Sequence, residues 1–127
     1  MRKSLIICFI IILGLFLSSC NNSTKNVAPP KHLTESEYKG SLKAIKIIDD
    51  YLDFEISKSE AKEELEEIEN RINYDGVENE KRKTALLYIY IDLNSVTLEL
   101  SYPSPDDNEI LDSRNSIAET IELDKRK

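Results

Sequence analysis

Carboxylates are the most numerous side chains here that could do chemistry, and many of them fall in two dense runs. A calcium loop needs alternating carboxylates and a central glycine, and neither run has that spacing. A catalytic acid and base need a cleft that separates their pKa values, and neither run indicates one. We therefore predict solvated acidic helix faces, with no metal site, no cofactor and no catalytic residue. The runs are Asp49, Asp50, Asp53 and Glu55, then Glu63, Glu64, Glu66, Glu67 and Glu69.

The single histidine, His32, has no partner for chemistry either. A histidine-based metal site or a serine–histidine relay needs further ligands or relay members, and none accompanies it in the sequence. It follows Pro29-Pro30 in a polar stretch, which predicts an exposed linker residue. Only Gly40 and Gly76 follow residue 20, so a glycine-rich phosphate loop is not expected.

Tyrosine is unusually prominent, with six tyrosines, three phenylalanines and no tryptophan. A tyrosine side chain has an apolar body and a polar tip, which suits both protein interfaces and the edges of ordinary bundles. The sequence leaves both interpretations open. Tyr88 and Tyr90 are the candidate pair for contact with a partner.

The first residues have the parts of an export signal. Arg2 and Lys3 precede an uncharged apolar run at residues 5–17, and Ser18-Ser19-Cys20 follows. A helix of this length rises about 20 Å, too little for a hydrocarbon core of about 30 Å. This pattern predicts a secretory signal peptide at residues 1–19.

The end of this run resembles the lipobox of bacterial lipoproteins in the sequence Leu17-Ser18-Ser19-Cys20. In that family the cysteine thiol receives a diacylglyceryl group and a peptidase cuts before it, here between Ser19 and Cys20. The resemblance implies that Cys20 becomes the lipid-bearing first residue. The alternative is ordinary signal cleavage that leaves a free thiol. Cys8 would leave with the signal, so Cys20 could form no internal disulfide.

The chain that remains would be small and acidic. Removing residues 1–19 leaves 108 residues, and loss of Arg2 and Lys3 leaves 15 basic against 24 acidic side chains. This balance argues against nucleic acid and against attachment of the polypeptide to anionic lipid. Residues 20–34 are polar with two prolines, which predicts a tether before a single domain at residues 35–127.

Regular apolar stripes predict the first two helices. Apolar residues recur at helical steps from Glu35 to Phe54, and Ser57 with Glu60 forms a capping-box pattern that begins the second helix. Asp75-Gly76 would end it, with Gly76 as a left-handed C-cap. The stripes are Tyr38, Leu42, Ile45, Ile48 and Leu52, then Ala61, Leu65, Ile68 and Ile72.

Residues 84–102 fit two patterns. Five apolar residues have helical spacing, but others alternate as in strands, and Asn94-Ser95 could turn a hairpin. Helices on both sides and the marginal stability of an isolated hairpin favour a helix. Because it is apolar on nearly every side, we expect it to be buried at the centre. The five residues are Leu86, Ile89, Leu93, Val96 and Leu100.

A last helix is predicted after Pro103 and Pro105. Residues 106–109 offer another capping box, and an isoleucine stripe continues to Leu123. The final DKRK would place positive charge at the helix C-terminus, where the dipole favours it. The predicted fold class is all-α, a small antiparallel bundle of three or four helices.

These features predict a membrane-anchored lipoprotein outside the cytoplasm, held in the lipid bilayer through acylated Cys20. Its function is predicted to be non-catalytic interaction with an unknown envelope protein. The alternative is a lipoprotein that binds a small molecule or a peptide for a transporter. A packed core without pockets would favour the first function, and an apolar cavity of a few hundred Å³ the second.

Overall fold

The computed structural model describes residues 28–127 and contains four helices and no strand within them. The predicted signal peptide, the lipobox and the first residues of the tether lie outside the described residues. The all-α prediction is confirmed for the described part. The helices are α1 (Glu35–Leu52), α2 (Lys58–Glu69), α3 (Glu80–Glu99) and α4 (Asp107–Thr120).

The helices form an antiparallel four-helix bundle with short connections. Helix α1 packs on α2 and α4, and α3 packs on the same two neighbours from the opposite corner. The N-terminal ends of α1 and α3 lie at one end of the bundle, where Arg82 binds Glu37. This "upper end" also contains the start of the described chain, because His32 lies near Tyr88.

The core consists of the inward apolar stripes, and most of the predicted stripe residues are buried. Leu42, Leu52, Ile72 and Leu123 are the exceptions, since they are only partly buried against the core. The best-buried large side chains come from all four helices and from the C-cap residues of α3 and α4. They are Ile48, Leu65, Ile89, Leu93, Val96, Leu100, Ile110, Ile117 and Ile121.

The ambiguous third segment, predicted at residues 84–102, is a helix that both begins and ends earlier than predicted, at Glu80 and Glu99. Asn79 is its N-cap, with a side-chain oxygen that accepts a hydrogen bond from the Arg82 N–H at 3.0 Å. The first turn, Glu80 to Lys83, is polar and therefore gave no apolar signal at this helix start. The hairpin alternative is wrong, and Asn94-Ser95 lies within α3.

Capping matches the sequence patterns only in part. A full capping box joins Thr34 and Glu37 at α1, although Thr34 was assigned to the tether. Ser57 accepts from the Glu60 N–H at 3.2 Å, but the return bond from Glu60 is not formed. Asp106 caps α4 by accepting from the Asn108 N–H.

The capping box predicted at residues 106–109 would also have the Glu109 side chain accept a hydrogen bond from the Asp106 N–H, and this bond is not formed. The Asp106 N–H donates to the Glu99 carboxylate at 3.2 Å instead. Glu99 therefore joins the end of α3 to the start of α4.

The predicted end of the second helix is wrong. Helix α2 ends at Glu69 with Asn70 as its C-cap, and Gly76 has no positive φ. Beyond it, Ile72 is only half-buried and Tyr74 packs on Tyr90 of α3, with ring centroids 5.5 Å apart. Tertiary packing of residues 70–79 across the upper end therefore replaces the last predicted turns.

The domain begins before residue 35, which shortens the predicted tether. Pro30 and Leu33 are buried, and the Leu33 N–H donates to the Pro30 carbonyl at 3.0 Å. This turn brings Leu33 into the hydrophobic core. Among the described residues, the packed domain therefore includes residues 30–34, which the sequence assigned to the tether.

The predicted role of the final DKRK is also wrong. Helix α4 ends at Thr120, and Glu122 has a φ of 58°, which turns the chain back toward α1. Asn115 then holds the Arg126 backbone on both sides, accepting from its N–H at 2.7 Å and donating to its carbonyl at 2.9 Å. The last residues therefore form a C-terminal strap, residues 122–127, rather than a charged helix end.

Replacing Asp92 by asparagine should stabilise the domain at neutral pH by about 1 kcal/mol. One oxygen of this α3 carboxylate is buried without a partner, and burial raises the pKa of Asp92, an effect that Ser116 offsets only in part. A raised pKa in the folded state means that ionisation disfavours folding. The penalty is present above the folded-state pKa and disappears as the pH falls below the unfolded-state value.

The test compares melting temperatures of the two proteins over a pH series. The variant should melt at a higher temperature at pH 7, and the difference should close on acidification. A variant that melts below the parent at pH 7 would contradict this assignment.

Candidate functional site

The outer face of α3 carries an apolar stripe that no part of the described chain covers. Its large side chains are about half exposed: 56% for Tyr88, 51% for Ile91, 53% for Leu98 and 48% for Tyr102. Tyr88, Ile91, Ser95 and Leu98 recur at steps of three and four residues over about 15 Å of helix, and Tyr102 follows just beyond the end of α3. Single exposed apolar residues are ordinary, but an aligned row marks an interaction surface. We call these five residues the exposed α3 stripe.

Acidic side chains border one side of this stripe. Asp92 and Glu99 lie one heptad apart on the side of α3 that faces α4, near Ser116 and Asp106 respectively. Residues 84–113 contain six carboxylates and no lysine, arginine or histidine. The stripe is therefore apolar along its centre and anionic on the side that faces α4. Basic side chains lie at its two ends, with Lys81 near Tyr88 and Lys58 bonded to the Tyr102 carbonyl at 2.8 Å.

Tyr88 and Tyr90 do not form one contact patch. They are two residues apart on α3, so their side chains point to nearly opposite sides of the helix. Tyr88 belongs to the exposed α3 stripe, whereas Tyr90 is half-buried against Tyr74. Of the predicted pair, only Tyr88 lies on the candidate surface.

Sequence reasoning missed this surface because it interpreted α3 as wholly buried. In a four-helix bundle the core takes one face of each helix, here Leu86, Ile89, Leu93, Val96 and Leu100. Tyr88, Ile91 and Leu98 are apolar but are not part of this core face. Their presence was the sequence signal that could have predicted a second, exposed apolar face on α3.

Part of the first acidic run binds arginine rather than facing solvent alone. Arg114 on α4 donates to both carboxylate oxygens of Asp49 at 3.0 and 2.9 Å, and also to the Asp124 carbonyl. Arg126 bridges Asp49 and Asp53, with its shortest bond 2.6 Å from Nη2 to Asp53 Oδ1. We call Asp49, Asp53, Arg114 and Arg126 the arginine cluster.

The arginine cluster is structural, because each carboxylate in it is matched by a guanidinium group. The bond from Arg126 holds the pKa of Asp53 below its usual value, with desolvation opposing. Asp50 pairs with Lys46 on the same helix, and Glu55 is exposed as predicted. The interpretation as solvated face is therefore wrong for Asp49 and incomplete for Asp53.

Other candidate groups remain separate. His32 is half-exposed beside Tyr88 and Thr120 at the upper end. Within residues 28–127, no group of three or more histidine, cysteine or acidic side chains is placed to hold a metal ion. Among the described helices, none combines the length and apolar character that crossing a membrane requires.

Comparison with known proteins gives no relative. No family model matches this chain, and no significant match was found among curated proteins or solved structures. Inference about function therefore rests on the chain's own sequence and geometry.

Proposed function

We propose that this protein is a lipid-anchored, non-catalytic interaction protein of the cell envelope. Acylated Cys20 would hold it in the membrane, and the helical bundle would face a protein partner outside the cytoplasm. The anchor is supported by the apolar run and the lipobox pattern at Leu17-Ser18-Ser19-Cys20. The interaction is supported by the exposed α3 stripe.

The spacing of the stripe favours a helical partner. Steps of three and four residues between large apolar side chains are the pattern by which two helices pack side by side. Half-exposed tyrosine, isoleucine and leucine can each be buried further by a helix laid along α3. The partner would therefore present an apolar row of the same period.

The charge around the stripe favours a basic partner. Asp92 and Glu99 lie beside the stripe, in a segment (residues 84–113) that has six carboxylates and no basic side chain, and they would attract lysine or arginine on the facing flank of the incoming helix. A second copy of this chain would oppose carboxylates with carboxylates, and an anionic membrane surface would repel them. The occupant we propose is a basic amphipathic helix of another envelope protein.

Replacing Ile91 and Leu98 together by glutamine should weaken binding of that helix at least about tenfold. Full burial of such a side chain contributes about 1.5–3 kcal/mol, and because each is already about half buried, the partner adds about half of this at each position. Glutamine removes this contribution without adding charge and is a good helix former. The experiment places a photo-crosslinking residue at position 91 in intact cells and identifies the captured segment. A peptide of that segment is then titrated against both proteins.

Two controls separate the stripe from its surroundings. A crosslinker at Glu63, which is exposed on α2, should not capture the segment that is captured from position 91. Tyr88→Ala should weaken peptide binding, whereas Tyr90→Ala should lower only the melting temperature because Tyr74 loses its ring partner. Capture of a second copy of this chain, or of a segment without basic residues, would contradict the proposal.

A further inference from the structure

A cleft opens at the upper end of the bundle, on the side away from the exposed α3 stripe. Its volume is about 650 Å³, and it lies between the first half of α1, the end of α2 and the start of α3. It exists because α2 has 12 residues and α3 has 20, so α2 ends before the bundle does. This volume falls within the range of small-molecule sites.

Gly40 lines this cleft and contributes no side chain to it. It lies inside α1, where glycine costs about 1 kcal/mol relative to alanine. A Cβ built at Gly40 would meet no atom within 4 Å, so no close contact requires glycine here. Glycine is therefore a less favourable residue at this helix position, and its lack of a side chain leaves the adjoining part of the cleft empty.

The cleft combines an apolar floor with a basic rim. The floor is lined by Ile68, Leu86 and Ile89, which belong to the buried core, and by Ile72, which is only partly buried. Four basic side chains and a single carboxylate line the same cleft, in a chain whose formal net charge is −7. They are Lys39, Lys43, Arg71, Arg82 and Glu37.

The Arg82 charge is already neutralised, and Lys39 pairs with Glu35 at 2.6 Å, whereas Lys43 and Arg71 have only long contacts with carboxylates. Arg82 donates three hydrogen bonds to Glu37, the shortest 2.6 Å. Partial burial would raise the pKa of Glu37, but bonds from Arg82 and Thr34 hold it below its usual value. By contrast, Lys43 Nζ lies 3.4 Å from a Glu64 oxygen, and Arg71 Nη2 lies 3.5 Å from a Glu67 oxygen.

Exposed pairs of this kind contribute little to stability, so Lys43 and Arg71 can turn toward a ligand at small cost. An anion that entered the cleft would bind between them, and its apolar part would cover the isoleucine floor. We infer that the cleft binds a small amphipathic anion, a carboxylate attached to an apolar body. Small-molecule binding is the alternative function that the sequence left open, and it is independent of the exposed α3 stripe.

The test uses full-length protein in lipid nanodiscs and follows isoleucine methyl signals by NMR. The probes are 4-phenylbutyrate and its neutral amide, which differ in charge and little in shape. The carboxylate should shift the Ile68, Ile72 and Ile89 methyl signals saturably. The amide should need at least a tenfold higher concentration for the same shift.

Gly40→Leu is the matched control for the cleft. Its side chain should fill the empty space and abolish the response, while the melting temperature stays equal or rises because leucine is the better helix former. The parent and the variant are measured in nanodiscs of the same lipid composition, so partitioning of the probe into lipid is equal for both and does not affect the comparison. Lys43→Gln with Arg71→Gln should reduce carboxylate affinity to that of the amide.

Each alternative result overturns the inference. Equal responses to the carboxylate and the amide would exclude recognition of the charge. A Gly40→Leu protein that responds like the parent would place binding outside the cleft. Absence of methyl shifts with either probe would exclude this ligand class altogether.

Discussion

Replacing Cys20 by alanine should abolish lipid attachment of the protein. In the proposed lipoprotein, the thiol of Cys20 is the only nucleophile in the lipobox that can accept the diacylglyceryl group. One acyl chain binds a membrane only reversibly, whereas two give stable anchoring. Without the thioether, the acidic chain after residue 20 has no second means of attachment that the sequence indicates.

The measurement is metabolic labelling with a fatty-acid probe, followed by detergent partitioning. The parent should label and enter the detergent phase, and the Cys20→Ala variant should not label. Its precursor should keep its signal peptide or be cut elsewhere and released. Cys8→Ala is the matched control and should label like the parent, since Cys8 lies within the predicted signal peptide. Equal labelling of the parent and the Cys20→Ala variant would contradict the lipoprotein proposal.

Replacing Arg114 by methionine should cause the largest loss of stability among single changes in the arginine cluster. The side chain is only 8% exposed and holds Asp49 by two parallel hydrogen bonds. Removing one partner of a buried ion pair costs about 3–5 kcal/mol, because the other charge stays buried. Asp49 keeps Arg126 and some solvent contact, so we expect about 3 kcal/mol, or roughly 12–24 °C in melting temperature.

Arg126→Met is the matched control from the same cluster. Its partner Asp53 has 54% of its side chain exposed and can be solvated, so the loss should be about 1 kcal/mol or less. Changing Asp49 to leucine in the Arg114→Met background should recover much of the stability, because the unpaired carboxylate is then gone. Equal losses for Arg114→Met and Arg126→Met, measured by urea unfolding, would contradict this account.

The helices could be predicted because their information is local. The apolar period of residues 35–54 and the caps at Ser57 and Asp106 depend on neighbours within a few turns. The third segment was harder because its apolar residues serve two surfaces, the core and the outward face with Ile91 and Leu98. The apolar pattern of this segment alone did not decide between helix and hairpin, and the predicted helices on both sides of it did.

The arginine cluster and the cleft could not be predicted in the same way. Arg114 and Asp49 are 65 residues apart in the chain, and Arg126 and Asp49 are 77 apart. No local pattern indicates that Glu122 turns the chain back to bring them together. The cleft depends on α2 ending at Glu69, and tertiary packing of the following residues decides that end.

Burial of Pro30 and Leu33 also limits how far the domain can reach. About ten residues separate Cys20 from Pro30, and such a segment spans at most about 35 Å. An anchored domain would therefore stay within roughly one bundle length of the bilayer, with Tyr88 close to the anchored end. Confinement to so thin a layer raises the effective concentration of any partner in the same membrane. An affinity too weak to survive dilution in solution would then be sufficient for a lasting complex at the membrane surface.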